Sequence, residues 1–211
     1  MTVVWKPQTA LLIRKTDSPI RLLNNVARVC YKSETPESII TQETFIKHLI
    51  QNGHESPLEF IDFTWFIQTS RAIANELIRH RLASYMQEST RYVKYNELEL
   101  LKPLEDACYY SYTKETFTPS ELEETVKHYN YLIDHGVKPE FARDFLPLGL
   151  ITHIYCKMNL REFRHFLRLR LDKSAHPQMR KLAKSMVDEL IKVYNKDEVE
   201  TMLFGIPNLP F

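Results

Sequence analysis

Phe60-Ile61-Asp62-Phe63-Thr64-Trp65-Phe66-Ile67-Gln68-Thr69-Ser70-Arg71-Ala72-Ile73-Ala74-Asn75-Glu76-Leu77-Ile78-Arg79-His80-Arg81 changes its character halfway along. Its first nine residues are aromatic and β-branched, which predicts a strand over Phe60–Gln68. Thr69 or Ser70 can then cap a helix from about Arg71 to Arg81, which delivers Arg79-His80-Arg81 at its far end. A strand feeding a helix in this way is the seed of an α+β fold.

The flanking segments extend that reading. Val3-Val4-Trp5 and Ala10-Leu11-Leu12-Ile13 predict short strands. Ser18 as N-cap with Pro19 at the first helical position opens a helix running to about Arg28 or Cys30. Phe45, Ile46, Leu49 and Ile50 place a helix over Glu43–Gln51, stopped by Gly53. Downstream, Tyr85 to Leu104 reads as loop and strand. Thr118-Pro119-Ser120 opens a helix with Leu122, Val126, Tyr129 and Ile133 at helical spacing, closed by Gly136. Pro139 to Leu146 gives a helical turn or two. Leu150–Met158 predicts a strand. Asn159 with Glu162 resembles a capping box for a helix from Leu160 to about Leu171, and a last helix covers about Gln178–Tyr194. No repeat or low-complexity linker divides the chain, so one α+β domain over residues 1–211 is expected.

The bulk properties narrow the function. With 211 residues and 44% hydrophobic content, the chain can bury a full core. Its 28 basic and 27 acidic residues leave a net charge of +1, unlike a protein that coats nucleic acid. Cys30, Cys108 and Cys156 are far apart and read as reduced thiols, and no signal peptide or run of about 20 apolar residues is evident. A cytoplasmic location is therefore expected. Only four glycines occur, none close together, so neither the dinucleotide fingerprint nor the P-loop is present. Any nucleotide would have to be held by side chains such as arginine.

Against that neutral background, Ile78 to Tyr92 concentrates cations. Consecutive Arg79-His80-Arg81 point in several directions, and Gln87, Ser89 and Arg91 follow closely. The pattern suits several anionic groups, phosphates above all. Gly53-His54-Glu55-Ser56-Pro57-Leu58-Glu59 reads either as a polar turn or as a loop orienting a ligand through Ser56 and Glu59. A metal site there is not supported, because Ser-Pro breaks the helix that a zinc-binding histidine pair needs. In Asn159–Arg170, Leu160, Phe163, Phe166 and Leu167 form a buried stripe, with Arg161, Arg164, His165 and Arg168 opposite. A solvated basic face and an anion-binding face both fit. Arg170 leaves that face for a partly buried position beside Leu169 and Leu171. Arg143 beside Asp144 reads as a surface ion pair. Cys156 reads as packed rather than reactive, and Ser89 lacks the partners of a hydrolase triad.

In ordered combination these stretches resemble the flavin-dependent thymidylate synthases. The signature is Arg79-His80-Arg81, seven residues, then Ser89-Thr90-Arg91-Tyr92. The likeness also takes in Ala27-Arg28-Val29-Cys30-Tyr31, Gly53 to Pro57, Ala142-Arg143, Leu146-Pro147-Leu148, Asn159-Leu160-Arg161, His165 and Leu169-Arg170. It thus spans about Ala27 to Arg180. The resemblance implies an α+β domain with a mixed or antiparallel sheet flanked by helices, assembled as a homotetramer whose sites are shared between subunits. It implies methylation of dUMP to dTMP, with methylenetetrahydrofolate as carbon donor and NADPH reducing FAD, and with no cysteine nucleophile, metal, nucleic acid or membrane involved.

By position, the resemblance implies FAD contacts at Ser56, Arg79, His80, Arg81, Gln87, Asn159, Leu160, Arg161 and His165. It implies dUMP contacts at Glu76, Arg79, Gln87, Glu88, Ser89, Thr90, Arg91, Arg143 and Arg170, with Arg170 polarising the uracil ring. Met86-Gln87 stands where that family usually has Asn-Glu, and Glu76 where glutamine is common. A carboxylate has in effect moved from one lining position to the other. Ala175-His176-Pro177-Gln178 also departs, from Ala-Gln-Trp-Glu. Two readings from other classes are a non-catalytic nucleic-acid-binding domain using the same arginines with Tyr85, Tyr92 and Tyr95, and a structural oligomer with a basic channel.

Overall fold

The computed structural model describes residues 3–95, 97–102 and 119–210. Cys108 and the helix-opening Thr118 lie outside them. In chain order the elements are β1 (Val3–Lys6), β2 (Thr9–Lys15), α1 (Pro19–Val29), α2 (Ile39–Gln51), a 3-10 turn (Ser56–Phe60), β3 (Asp62–Ser70) and α3 (Arg71–Leu77). Then come β4 (Ala83–Gln87), β5 (Leu98–Leu101), α4 (Pro119–Asp134), α5 (Pro139–Ala142), a 3-10 turn (Arg143–Phe145), β6 (Ile151–Asn159), α6 (Leu160–Arg170), α7 (Pro177–Val193) and α8 (Lys196–Met202).

The strand-to-helix junction forms as the change of period predicts, with two shifts. β3 begins at Asp62 rather than Phe60, because Leu58 N donates to Glu55 O at 3.0 Å and the chain turns through Ser56–Phe60 first. Within β3, Phe63, Trp65 and Ile67 are fully buried while the residues between them are not. Ser70, not Thr69, caps α3, its hydroxyl accepting from Ile73 N at 3.3 Å. α3 stops at Leu77, short of the expected Arg81. Ile78 N still reaches Ala74 O at 3.0 Å, but Arg79 N tightens onto Glu76 O at 3.3 Å. His80 then leaves the helical path because its ring is buried edge-on against Phe166, with centroids 5.1 Å apart.

Among the described residues, a four-stranded sheet has the order β2-β3-β6-β4. Its neighbours run antiparallel. Thr16 N, after β2, meets Asp62 O at the start of β3 (3.2 Å); Leu160 N, after β6, meets Ile61 O (2.8 Å); and Glu88 N, after β4, meets His153 O in β6 (3.0 Å). β1 and β5 pair in parallel, from Val3↔Leu98 to Lys6↔Leu101.

The chain gathers into two compact units. One comprises Met1–Thr9, Ile67–Arg79 and Met86–Ile154, and the other Ala10–Phe66, His80–Tyr85 and Tyr155–Phe211. The first unit has Leu100, Val126 and Leu150 at its core. In the second, Phe163 of α6 packs on Trp65 and Phe63, with ring centroids 5.7 and 5.6 Å apart. Leu160, Phe163, Phe166 and Leu167 are all fully buried, as their spacing predicts. No described helix is long and apolar enough to cross a membrane.

Other boundaries differ in informative ways. α2 starts at Ile39, four residues before Glu43, with Ser38 accepting from Thr41 N at 3.5 Å. Ser18 sits at φ 46° and its side chain makes no capping bond, so α1 starts on Pro19 without the expected serine cap. α8 is absent from the expectation, although Asn195 and Glu198 form a complete capping box at its start.

Candidate active site

In the second unit, α6 is launched by Asn159, whose side chain accepts from Glu162 N at 2.9 Å. The expected capping box is only half made. The Glu162 carboxylate does not turn back to the cap; it lies buried and faces His80 Nδ1 at 3.2 Å. His80 Nε2 in turn meets Arg170 Nε at 3.0 Å. A guanidinium N–H only donates, so His80 Nε2 accepts and the ring proton sits on Nδ1, directed at Glu162. Burial first, then the charges of Arg170 and His165, lowers the His80 pKa to about 4, so the ring is neutral. Burial raises the Glu162 carboxyl above its usual range.

Around this line of side chains, Tyr85 donates its hydroxyl proton to His80 O at 2.9 Å. Burial pushes the Tyr85 phenol well above its usual value and the Cys156 thiol up to about 12. Cys156 is thus the packed, unreactive thiol that the sequence suggests. His80, Glu162 and His165 bring ligand atoms within 4.8 Å of one another. Both His80 ring nitrogens are nevertheless engaged, one of them with a guanidinium, so the cluster is a hydrogen-bonded network rather than a metal centre.

The Gly53–Glu59 turn and α6 meet through charge. Arg161 Nη1 contacts Glu59 Oε1 at 2.6 Å, and its Nε lies 3.6 Å from Glu55 Oε2. Arg168 reaches Glu55 Oε1 at 3.5 Å. Ser56 and Arg161 line an open groove of about 810 Å³ whose walls include Tyr31, His54 and Phe60. Arg164 corrects the expected basic face. It is 1% exposed and donates to Met202 O (2.7 Å) and Phe204 O (2.9 Å), closing the C-terminal end of α8. His165 and Arg81 are exposed. Leu160, in the expected FAD set, is fully buried and its N–H is spent on Ile61 O.

The first unit holds most of the expected dUMP residues. Glu88 is gripped from three sides: Tyr95 hydroxyl to Oε1 (2.6 Å), His153 Nδ1 to Oε2 (3.0 Å), and Arg71 Nη2 to its carbonyl (3.0 Å). His153 Nε2 faces Gln68 Oε1 at 3.1 Å, so both ring nitrogens meet an oxygen. Gln87 Nε2 donates to Thr152 Oγ1 at 3.2 Å. Ser89 Oγ accepts from Arg91 N at 3.2 Å, and Thr90 lies between them in a turn. Arg91 is 3.5 Å from Glu140 Oε2, with its guanidinium 5.5 Å from the Tyr92 ring centroid. Glu76 is half-buried on α3, and Arg79 and Arg143 are exposed; Arg143 opens the second 3-10 turn. Glu162, His153 and Arg71 are absent from the expected ligand sets, and Tyr95 was expected only as an aromatic of the nucleic-acid-binding alternative. Glu162 had a signal of another kind, at the third position of an apparent capping box.

Residues 11–194 match the family described as thymidylate synthase complementing protein. The chain belongs to that family. Among relatives of this member, the flavin-dependent thymidylate synthase of Pyrococcus furiosus is 33% identical over 206 residues, covering 91% of this chain and 81% of the relative. That of Geobacter sulfurreducens is 33% identical over 183 residues, covering 83% and 79%. Among solved structures, a UMP/dUMP methylase from Streptomyces cacaoi, bound with 5-Br dUMP, aligns with a TM-score of 0.75 at 21% identity. That likeness covers 95% of this chain and 97% of the other and shows a shared fold. Here Arg79-His80-Arg81 follows the end of α3, and Ser89-Thr90-Arg91 follows the end of β4.

Proposed function

We propose that this chain is a flavin-dependent thymidylate synthase: a methyltransferase that converts dUMP to dTMP using methylenetetrahydrofolate, with NADPH-reduced FAD as hydride source. The observation that carries the reading is Arg170, a half-buried guanidinium fixed at Nε by the neutral His80 ring. Its charge stabilises the negative charge that uracil must carry for carbon-5 to attack a methylene group. No cysteine nucleophile is needed for this step.

The groove beside Ser56 and Arg161 fits FAD in chemistry and size. It has apolar walls, a hydroxyl and a guanidinium, and pockets for such ligands run from about 300 to 1,000 Å³. Ser56, Arg161 and His165 would hold the cofactor, with Arg79, His80, Arg81, Gln87, Asn159 and Leu160 completing the set. The bound flavin supplies hydride chemistry, while the chain supplies position and charge. Ser89, Arg91 and Arg143 bind the dUMP phosphate, with Glu76, Arg79, Gln87, Glu88 and Thr90 orienting the nucleotide. The working form is a homotetramer sharing sites between subunits, and the chain acts as one synthase domain.

Purified protein should be yellow and should release tritium from 5-tritiated dUMP only when a reductant is present. A colourless protein that also fails to take up added FAD overturns the proposal.

A further inference from the structure

Glu162 belongs to neither ligand set, yet it is one of the most enclosed carboxylates among the described residues, with its side chain 4% exposed. Burying a carboxylate costs several kcal/mol unless its partners offset the loss of water. Here its hydrogen-bond partner is His80 Nδ1, and a His165 ring nitrogen lies within 4.8 Å. On the far side of that ring Nε2 accepts from Arg170 Nε at 3.0 Å. Carboxylate, imidazole and guanidinium thus form one line, within one unit of the chain. The geometry points to Glu162 and His80 as positioning residues for Arg170: the carboxylate fixes the imidazole tautomer, and the imidazole fixes the guanidinium. This inference rests on the proposed function, in which Arg170 faces the uracil ring.

Proton direction decides whether the line holds. With its proton on Nε2, the His80 ring would meet the Arg170 Nε–H donor to donor at 3.0 Å. Only the Nδ1–H tautomer satisfies both ends: the Arg170 donor at Nε2 and the Glu162 acceptor at Nδ1 both select it. Free imidazole prefers Nε2–H, so Glu162 adds the carboxylate half of the pull toward the less common form. The same logic orients histidines in catalytic triads and metal sites. Ring rotation is blocked by Phe166 at 5.1 Å and His165 at 5.7 Å, and the Tyr85 hydroxyl anchors the backbone carbonyl of His80. Arginine is among the side chains with the most rotamer entropy to lose. A guanidinium held at Nε has surrendered much of it before substrate arrives, which is the preorganisation that transition-state charge stabilisation needs.

Glu162→Gln tests the inference. It keeps size, but an amide can either accept from Nδ1–H or donate to Nδ1, so the tautomer is then selected from the Arg170 side alone. In the FAD-loaded enzyme, kcat for dTMP formation should fall by about 10²-fold, as misplacement of a reacting group does. Flavin content, the rate of flavin bleaching by NADPH and KM for dUMP should be unchanged. Glu162→Asp, which retains the charge, should recover part of kcat. Nitrogen-15 NMR of histidine-labelled wild type should show His80 as Nδ1–H, with the Nε2–H form gaining in Glu162→Gln.

Wild-type kcat in Glu162→Gln overturns the inference, as does a loss that falls equally on flavin reduction or flavin content. If Glu162→Gln does not fold, the wild-type spectrum decides, and an Nε2–H ring at His80 overturns it. A wild type that neither binds flavin nor releases tritium removes the proposed function instead; the tautomer and its dependence on Glu162 are read separately from that result.

Discussion

In Arg79-His80-Arg81 the middle residue lives apart from its neighbours: His80 is 4% exposed, whereas both arginines are in solvent. Burial makes protonation of His80 unfavourable in the folded state, with a pKa of about 4 against 6.5 when free. Below pH 6.5 the unfolded chain takes up a proton that the folded chain resists. Stability must therefore fall as pH drops from 6.5 toward about 4 and flatten below that. Glu162, whose carboxyl is raised, contributes with the opposite sign above its free value of 4.5. The His80 part is isolated by comparison. Urea midpoints of His80→Asn should decline less over this window than those of wild type, and parallel curves would refute the assignment. Residue 76 offers a second check. By the resemblance, its carboxylate stands where glutamine is expected, and Gln87, bonded to Thr152, stands where glutamate is expected. If the charge has moved, Glu76→Gln loses a charge-assisted hydrogen bond of about 1.5–3 kcal/mol, or roughly 10- to 100-fold in kcat/KM for dUMP. A near-normal kcat/KM would sink the idea.

At the scale of elements, α6 shows what a periodic pattern conveys and what it omits. Its apolar stripe was legible because burial repeats every three to four residues, whatever the helix packs against. The fate of Arg164 was not. A helical wheel places it with Arg161 and Arg168, but the carbonyls it satisfies belong to residues 202 and 204, on a short helix that the sequence reading missed. Truncating it leaves those carbonyls unpaired and a cavity behind. Arg164→Ala should destabilise by about 3 kcal/mol or more, and Arg164→Met, which refills the volume, by less. Equal unfolding free energies for wild type and Arg164→Ala would show that the clamp carries nothing. The β3–α3 junction was legible for the same reason as the stripe, since alternation gives way to helical spacing within one run. The end of α3 was not, because His80 is pulled aside by side chains about eighty residues away. The β1–β5 pair was also hidden, as four-residue strands encode no register by themselves.

For the whole molecule, near-neutral charge and scattered cysteines narrowed the class, and the ordered motifs pointed to the family. The partition into two units was illegible, because the chain mostly passes between them inside continuous strands: β2 between Thr9 and Ala10, β3 between Phe66 and Ile67, β4 between Tyr85 and Met86, and β6 between Ile154 and Tyr155. The partition sorts the expected ligand sets. Ser56, His80, Arg81, Asn159, Leu160, Arg161 and His165 fall in one unit, and Glu76, Glu88, Ser89, Thr90, Arg91 and Arg143 in the other. Arg79 and Gln87, shared by both sets, go with the second group, and Arg170 goes with the first. If each ligand orders chiefly the unit that holds its contacts, amide exchange should resolve two steps. FAD alone should slow exchange in the turn around Ser56 and in the first turns of α6. Slowing at Ser89–Arg91 and around Arg143 should require dUMP. Exchange that slows in both units on adding FAD alone would show that the residue assignments do not divide as proposed, whether or not the enzyme makes dTMP.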